Sequence, residues 1–275
     1  MHQQDASICS SGISGFCRVS ALVAGLTITC GLQAKTTCGP DDMKGGWATQ
    51  PNGILLASPP GGPPVGPFAA TGLLFFDGTG RFSGIASSSF NGLIFFPFNA
   101  IGHYSVSADC FINVFEESFG IAFEGYFNRD KSQVIFFQPQ QFTVTTNVLH
   151  RLQPPACNAN TLRDNWAIQA SGRNVVAGQQ FAENGRLDFD GTGKFTGTTG
   201  SSTGGVIVHH NVTGSVTVNA NCTLLLTITD EAARTSHWFG VLYGDRSEFY
   251  LEYQDPGVVI TGTGKKSVPT REDEN

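Results

Sequence analysis

The chain has 275 residues, a formal net charge of −6 and only 14% charged residues. That length admits one or two domains, and a small negative charge without a basic run argues against nucleic acid as a partner. With 34 glycines and few charges, the composition suits a protein of strands and turns.

Residues 1–34 read as a removable secretory signal. Arg18 precedes the apolar run from Val19 to Cys30, which passes into Leu32-Gln33-Ala34, a small-residue end. The run is too short for a membrane span, so the mature chain is expected to carry no stable one. Loss of the leader removes Cys9, Cys17 and Cys30 and leaves Cys38, Cys110, Cys157 and Cys222.

After the leader, strand signals follow one another at short intervals. A short strand at Trp47 is succeeded by Ala70 to Phe76, Arg81 to Ala86, Leu93 to Phe98, Gly102 to Ser107, Phe111 to Glu117, Gly120 to Phe127, Gln133 to Gln138 and Phe142 to Leu152. Before them lies Ser58-Pro59-Pro60-Gly61-Gly62-Pro63-Pro64-Val65-Gly66-Pro67. Proline in that density cannot donate ladder hydrogen bonds, so this segment is expected outside the sheet as a loop or lid. A second series runs through Gly185 to Phe189, Lys194 to Thr199, Val206 to His210, Thr213 to Asn219, Thr223 to Thr229, His237 to Tyr243, Glu248 to Tyr253 and Val258 to Thr263.

The two series are copies. Asp77-Gly-Thr-Gly-Arg-Phe-Ser-Gly84 returns 113 residues later as Asp190-Gly-Thr-Gly-Lys-Phe-Thr-Gly197, and Trp47, Cys38, Gly102 and Cys110 recur as Trp166, Cys157, Gly214 and Cys222. A period of domain size implies a duplicated folding unit. The expected fold is all-β: two tandem antiparallel up-and-down β-barrels, over residues 38–153 and 156–264, with a charged tail at 265–275. Gln153-Pro154-Pro155-Ala156 joins them. Duplication favours pairing Cys38 with Cys110 and Cys157 with Cys222, because each copy should fold alone. Zinc is the other use of four cysteines, but close C-x₂₋₄-C spacing is absent. Asp188-Phe189-Asp190-Gly191 lacks the later ligands of a calcium loop, so the Asp-Gly-Thr-Gly segments read as tight turns. His209 and His210 fall on opposite faces of a strand, against joint metal binding. No metal and no cofactor are expected.

Differences between the copies point to function. Phe68 to Phe142 holds 16 of the chain's 22 phenylalanines, with doublets at Phe75-Phe76, Phe95-Phe96 and Phe136-Phe137. In a barrel wall each doublet puts one ring inside and one outside. Copy one has a bulkier core and an outer patch covered by copy two, or its inner rings line a dry cavity with the proline-rich loop near its mouth, or its outward rings meet a membrane as in an outer-membrane barrel, a reading that the threonine- and serine-rich strands of copy two and the charged tail disfavour. Phe75, Phe96, Phe123 and Phe136 are the candidate ligand-lining residues. Glu124, in an apolar strand, would have a raised pKa if it faced inward and could act as acid or base. His103 and Tyr104, whose counterparts are Ser215 and Val216, are the other candidate catalytic groups. No H-E-x-x-H, phosphate loop or G-x-S-x-G accompanies them.

The segment Asp77-Gly-Thr-Gly-Arg-Phe-Ser-Gly followed by Gly102-His-Tyr-Ser-Val-Ser-Ala-Asp109-Cys110 resembles the allene oxide cyclase-like barrel proteins of the wider calycin group. Copy two matches as Gly214-Ser-Val-Thr-Val-Asn-Ala-Asn221-Cys222, departing at the Tyr and Asp positions. The resemblance covers most of both copies and rests on turn and disulfide chemistry. It implies small barrels that bind apolar molecules and, in the plant enzymes, steer cyclisation of a reactive intermediate.

The expected function is that of a secreted protein binding a small apolar molecule in the Phe-rich first barrel. The alternatives are an isomerase or cyclase of a lipid or secondary-metabolite intermediate, and a structural or adhesive extracellular protein whose barrels are filled solid.

Overall fold

The computed structural model describes residues 17–22, 25–30, 37–58, 62–140, 142–153 and 156–267. The chain divides into residues 1–37 and 38–275. In the first unit, β1 (Cys17–Leu22) and β2 (Gly25–Cys30) pair antiparallel with Cys17 opposite Cys30. The rest of the expected leader lies outside the described residues, as do Pro154 and Pro155 of the joint.

The second unit holds both copies. The first barrel is built from β3 (Gly45–Thr49), β4 (Asn52–Leu55), β5 (Gly66–Phe76), β6 (Arg81–Phe90), β7 (Leu93–Val106), β8 (Phe111–Glu116), β9 (Ile121–Phe127), β10 (Gln133–Phe137) and β11 (Thr143–Arg151). Strands β3 and β4 both pair with β5 on one side and β11 on the other, so they form one stave interrupted at Gln50-Pro51 and the barrel closes with eight. Proline at the break has no N–H to give the ladder. The second barrel closes through β12 (Asp164–Asn174), β13 (Gln179–Phe189), β14 (Lys194–Thr203), β15 (Val206–Val218), β16 (Thr223–Asp230), β17 (Thr235–Tyr243), β18 (Glu248–Tyr253) and β19 (Val258–Lys266).

Two expected strand breaks are absent. Leu93 to Phe98 and Gly102 to Ser107 form the single strand β7, and their counterparts form β15. The glycines that suggested turns are there for close approach. A Cβ on Gly102 would lie 2.6 Å from the Phe82 ring, and one on Gly214 would lie 2.3 Å from the Phe195 ring. Glycine inside a strand commonly marks such a contact.

Each barrel is plugged at one end by the same device. A 3-10 turn, Pro40–Met43 or Ala159–Leu162, leads into a fully buried tryptophan. Trp47 Nε1 donates to Met43 O at 2.6 Å and Trp166 Nε1 to Leu162 O at 2.7 Å. Disulfides Cys38–Cys110 and Cys157–Cys222 tie that turn to the β7–β8 and β15–β16 loops, with Cα separations of 5.0 and 4.9 Å. The pairing is the one duplication favoured.

The repeated Asp-Gly-Thr-Gly segments are self-contained turns. Asp77 Oδ1 accepts the N–H groups of Thr79, Gly80 and Arg81 at 2.7, 3.0 and 3.0 Å, and Oδ2 accepts the Thr79 hydroxyl at 2.6 Å. Asp190 does the same with Thr192 and Lys194. Gly78 and Gly80 hold φ of 84° and 119°, which only glycine adopts cheaply.

The barrels pack side by side through the outer face of β5 and its neighbours. Ala48 and Leu73 meet Phe239, Val241, Tyr243 and Tyr250 in one buried cluster. Gln50 Nε2 crosses the seam and donates to Leu251 O at 2.8 Å and Gly262 O at 2.9 Å.

Candidate functional site

Opposite the plugged end, the first barrel holds an apolar cavity of about 80 Å³. Beyond it a mouth of about 570 Å³ lies among Leu55, Pro63, Gln138, Pro139 and Phe142. Phe68, Phe90, Phe119 and Ile121 line both spaces, so these side chains are the partition between them.

The partition is a stack of rings. Phe68 stacks on Phe90 at 5.6 Å, and Phe119 lies 5.5, 5.7 and 5.1 Å from Phe90, Phe95 and Phe98. Offset and edge contacts at these separations are the favoured aromatic geometries. Phe119 sits on the β8–β9 turn, which Glu116 holds. Its Oε1 accepts the Ser118 N–H and its Oε2 the Phe119 N–H, each at 2.8 Å. Gln140 Nε2 secures the other side of the turn by donating to Gly120 O at 2.8 Å. At the mouth the Gln138 amide is buried. Its nitrogen donates to Gln140 Oε1 at 2.7 Å, and its oxygen has no partner among the described residues.

Each phenylalanine doublet does split between the two faces of the wall. Phe136 lines the cavity, as does Phe123, whereas Phe75 and Phe96 lie outside, 43% and 39% exposed. In those two doublets the inward rings are Phe76 and Phe95. The physical reason at β7 is a bulge: Ala86 pairs with Phe98 and Ser88 with Phe95, so Ser87 alone faces Phe96 and Pro97. A bulge re-aims the residues after it, and here both Phe95 and Phe98 reach the ring stack. Phe96 instead packs on Phe239 of the second barrel at 5.1 Å.

The candidate acid–base groups are not brought together. Glu124 alternates with the cavity-lining Ile121 and Phe123 and shares the outer face with Tyr126, which is 54% exposed. That placement withdraws it as an interior acid. His103 is on the outer surface, its Nδ1 3.2 Å from Glu117 Oε1, which also receives Arg81 at 2.9 Å. Tyr104 is buried at the plugged end, donating to Pro40 O at 3.0 Å and meeting Phe76 edge-on at 5.0 Å. Burial raises its pKa. Glu116 and Phe119 were not singled out from sequence. The available signal was the alternation Ile112, Val114, Glu116, which puts a carboxylate on the inner face just before a turn.

The second barrel has a larger space at the equivalent place, about 480 Å³. Strand register identifies the equivalent residues of the two barrels. Ala70 pairs with Ser88 as Glu183 pairs with Ser201, Ala86 with Phe98 as Thr199 with His210, and Val114 with Phe123 as Leu226 with Trp238. Where the first barrel has Ala70 and Phe98, the second has Glu183 and His210. His209, next in sequence, is exposed on the other face. Among the described residues no cluster of three or more His, Cys, Asp or Glu side chains could hold a metal ion, and no helix is long and apolar enough to cross a membrane.

Fold and cavities together define a tandem eight-stranded antiparallel β-barrel protein with one disulfide per barrel. No protein-family model matches the chain, and no curated protein matches its sequence. Several solved structures match along most of the chain, three of them as follows. Kievitone hydratase from Nectria haematococca is 7% identical over 83% of this chain and 91% of its own, with a TM-score of 0.29. A DUF3598-family protein from Nostoc punctiforme is 10% identical over 86% and 100%, with a TM-score of 0.26. CghA in complex with Sch210972 is 10% identical over 81% and 89%, with a TM-score of 0.25.

Proposed function

We propose that the chain is a secreted tandem barrel of the allene oxide cyclase-like kind that binds a small, mostly apolar molecule in its first barrel. The observation that carries this reading is the ring partition between an apolar cavity and an open mouth. Alone, about 80 Å³ is too small for a drug-sized ligand, for which roughly 300 to 1,000 Å³ is usual. Rotation of Phe119 on its turn joins the cavity to the mouth and brings the space into that range. Apolar walls supply the affinity, and the unpartnered Gln138 oxygen would accept one donor from the ligand.

Binding is favoured over catalysis in this barrel. Glu116 is the one titratable side chain lining the cavity among the described residues, and backbone N–H groups occupy both its oxygens. Two disulfides support passage through an oxidising compartment.

The test is a fluorescence titration of the mature protein with 11-(dansylamino)undecanoic acid, with palmitic acid and retinol as competitors. Saturable binding at one site is expected, weakened about tenfold by Ile121→Trp, which fills the passage. Phe119→Ala should speed both association and dissociation. Absence of saturable binding by the probe and both competitors would sink the proposal.

A further inference from the structure

The second barrel carries a different kind of site. Its apolar lining comes from Val212 of β15, Ile228 of β16 and Ile260 of β19, with Trp238 of β17 and Tyr253 of β18 between the last two, edge to face at 4.8 Å. Glu183, Thr199, His210 and the Asp230–Arg234 pair stand out in a polar lining that also includes Ser201, Thr203 and Ser236. Apolar and aromatic surface beside convergent polar groups is the usual make-up of a small-molecule site.

The histidine is the most informative of these. Arg234 Nη2 lies 3.2 Å from His210 Nε2, while Arg234 Nε donates to Asp230 Oδ2 at 2.7 Å. A guanidinium can only donate, so Nε2 must be the accepting nitrogen and the ring proton sits on Nδ1. That Nδ1 is buried and has no hydrogen-bond partner among the described residues. A buried donor left unpaired costs free energy that a ligand oxygen can recover. Nearby, burial raises the pKa of Glu183, opposed by the Thr199 hydroxyl and by His210, which favours the neutral acid as a second donor. Burial, with Asp255 adding to it, holds the Tyr253 hydroxyl up at about 12, so it too keeps its proton.

We infer that the second barrel binds a small, uncharged aromatic molecule bearing a hydroxyl or carbonyl oxygen, with the ring against Trp238 and Tyr253 and the oxygen bonded by His210 and Glu183. The first barrel cannot take the same ligand in this way, because Phe98 and Ala70 stand where those two groups would be. Size agrees: about 480 Å³ admits a two-ring molecule without rearrangement.

The experiment is isothermal titration calorimetry of the full-length protein with 2-naphthol, repeated with naphthalene-2-sulfonate. Saturable one-to-one binding of 2-naphthol is expected, weakened about tenfold in both His210→Leu and Glu183→Leu through loss of one hydrogen bond each. The sulfonate should bind at least about tenfold more weakly, since its charge must be desolvated against the apolar lining and beside the Asp230 carboxylate. His209→Leu, on the exposed face of the same strand and outside the cavity, serves as a folding control and should bind within about threefold of the parent. Should His210→Leu and Glu183→Leu misfold by near-ultraviolet circular dichroism, His210→Met and Glu183→Met, which likewise carry no donor, replace them. Prior saturation with 11-(dansylamino)undecanoic acid should leave 2-naphthol binding unchanged. No saturable heat, equal affinity for the sulfonate, unchanged affinity in the His210 and Glu183 variants, or displacement by the dansyl probe would each overturn the inference. Failure of the first-barrel titration would not.

Discussion

Phe98 and His210 occupy the same position in their respective barrels: Phe98 pairs with Ala86 on the strand beside it, and His210 pairs with Thr199, the counterpart of Ala86. One side chain completes a stack of rings and the other leaves a polar hollow. The duplicated scaffold thus presents two interiors of opposite character.

Converting one into the other has a predicted stability effect. His210→Phe removes a buried unpaired donor and places a ring against Trp238 and the apolar lining. It should stabilise the protein by about 1 kcal/mol and abolish binding of 2-naphthol. Urea unfolding followed by tryptophan fluorescence checks the first expectation and calorimetry the second.

At the seam, Glu252 of β18 is fully buried, and neither carboxylate oxygen has a hydrogen-bond partner of good geometry among the described residues. Burial pushes its pKa well above the ordinary carboxylate range, only partly opposed by the nearby Ser87 hydroxyl and the Thr71 and Ser89 backbone. A carboxyl with a raised folded pKa contributes its full stability below its unfolded pKa and loses it as pH rises towards the folded value. Stability of the parent should therefore decline from about pH 5 towards alkaline pH more steeply than that of Glu252→Gln, the two converging near about pH 4. Parallel curves across that range would refute this account of Glu252.

Glu116→Ala should release the turn that presents Phe119. The two backbone bonds to its carboxylate vanish, so amide hydrogen exchange at Ser118 and Phe119 should accelerate while exchange in β7 and β10 stays unchanged. The expected stability loss is about 1 kcal/mol, since the turn is partly solvated.

The disulfides close loops with sequence separations of 72 and 65 residues. Each should contribute about 2 to 5 kcal/mol, largely by restricting the unfolded chain. Non-reducing peptide mapping should return Cys38 with Cys110 and Cys157 with Cys222. The double variant Cys157→Ser with Cys222→Ser should lower the urea midpoint by an amount comparable to its first-barrel equivalent.

Asp77 offers a test of the repeated turn. The Thr79 hydroxyl, then the N–H groups of Thr79 and Arg81, hold its carboxyl down at about 2. A depressed carboxylate stabilises the fold above its unfolded pKa and loses that contribution as pH falls towards the folded value. Carbon-detected nuclear magnetic resonance titration should find it still ionised at about pH 3, and Thr79→Ala should return it towards the normal range.

The sequence alone determined the all-β class, the two barrels and the disulfide pairing. Those follow from period-two alternation, turn chemistry and the spacing of two copies that each had to fold independently. It also determined that every phenylalanine doublet straddles the wall, since adjacent residues on a strand face opposite ways. Which member points inward was decided by the bulge opposite Ser87 in one doublet, and in all of them by register, quantities that composition does not carry. Most of all, a surplus of phenylalanine on the inner face reads equally well as a lined cavity or as a filled one. Only the packed structure shows that in the first barrel the rings nearly close the space, and that the open, polar interior belongs to the copy without them. Volume is a property of side chains meeting across a barrel from strands far apart in the chain, and no single stretch of sequence encodes it.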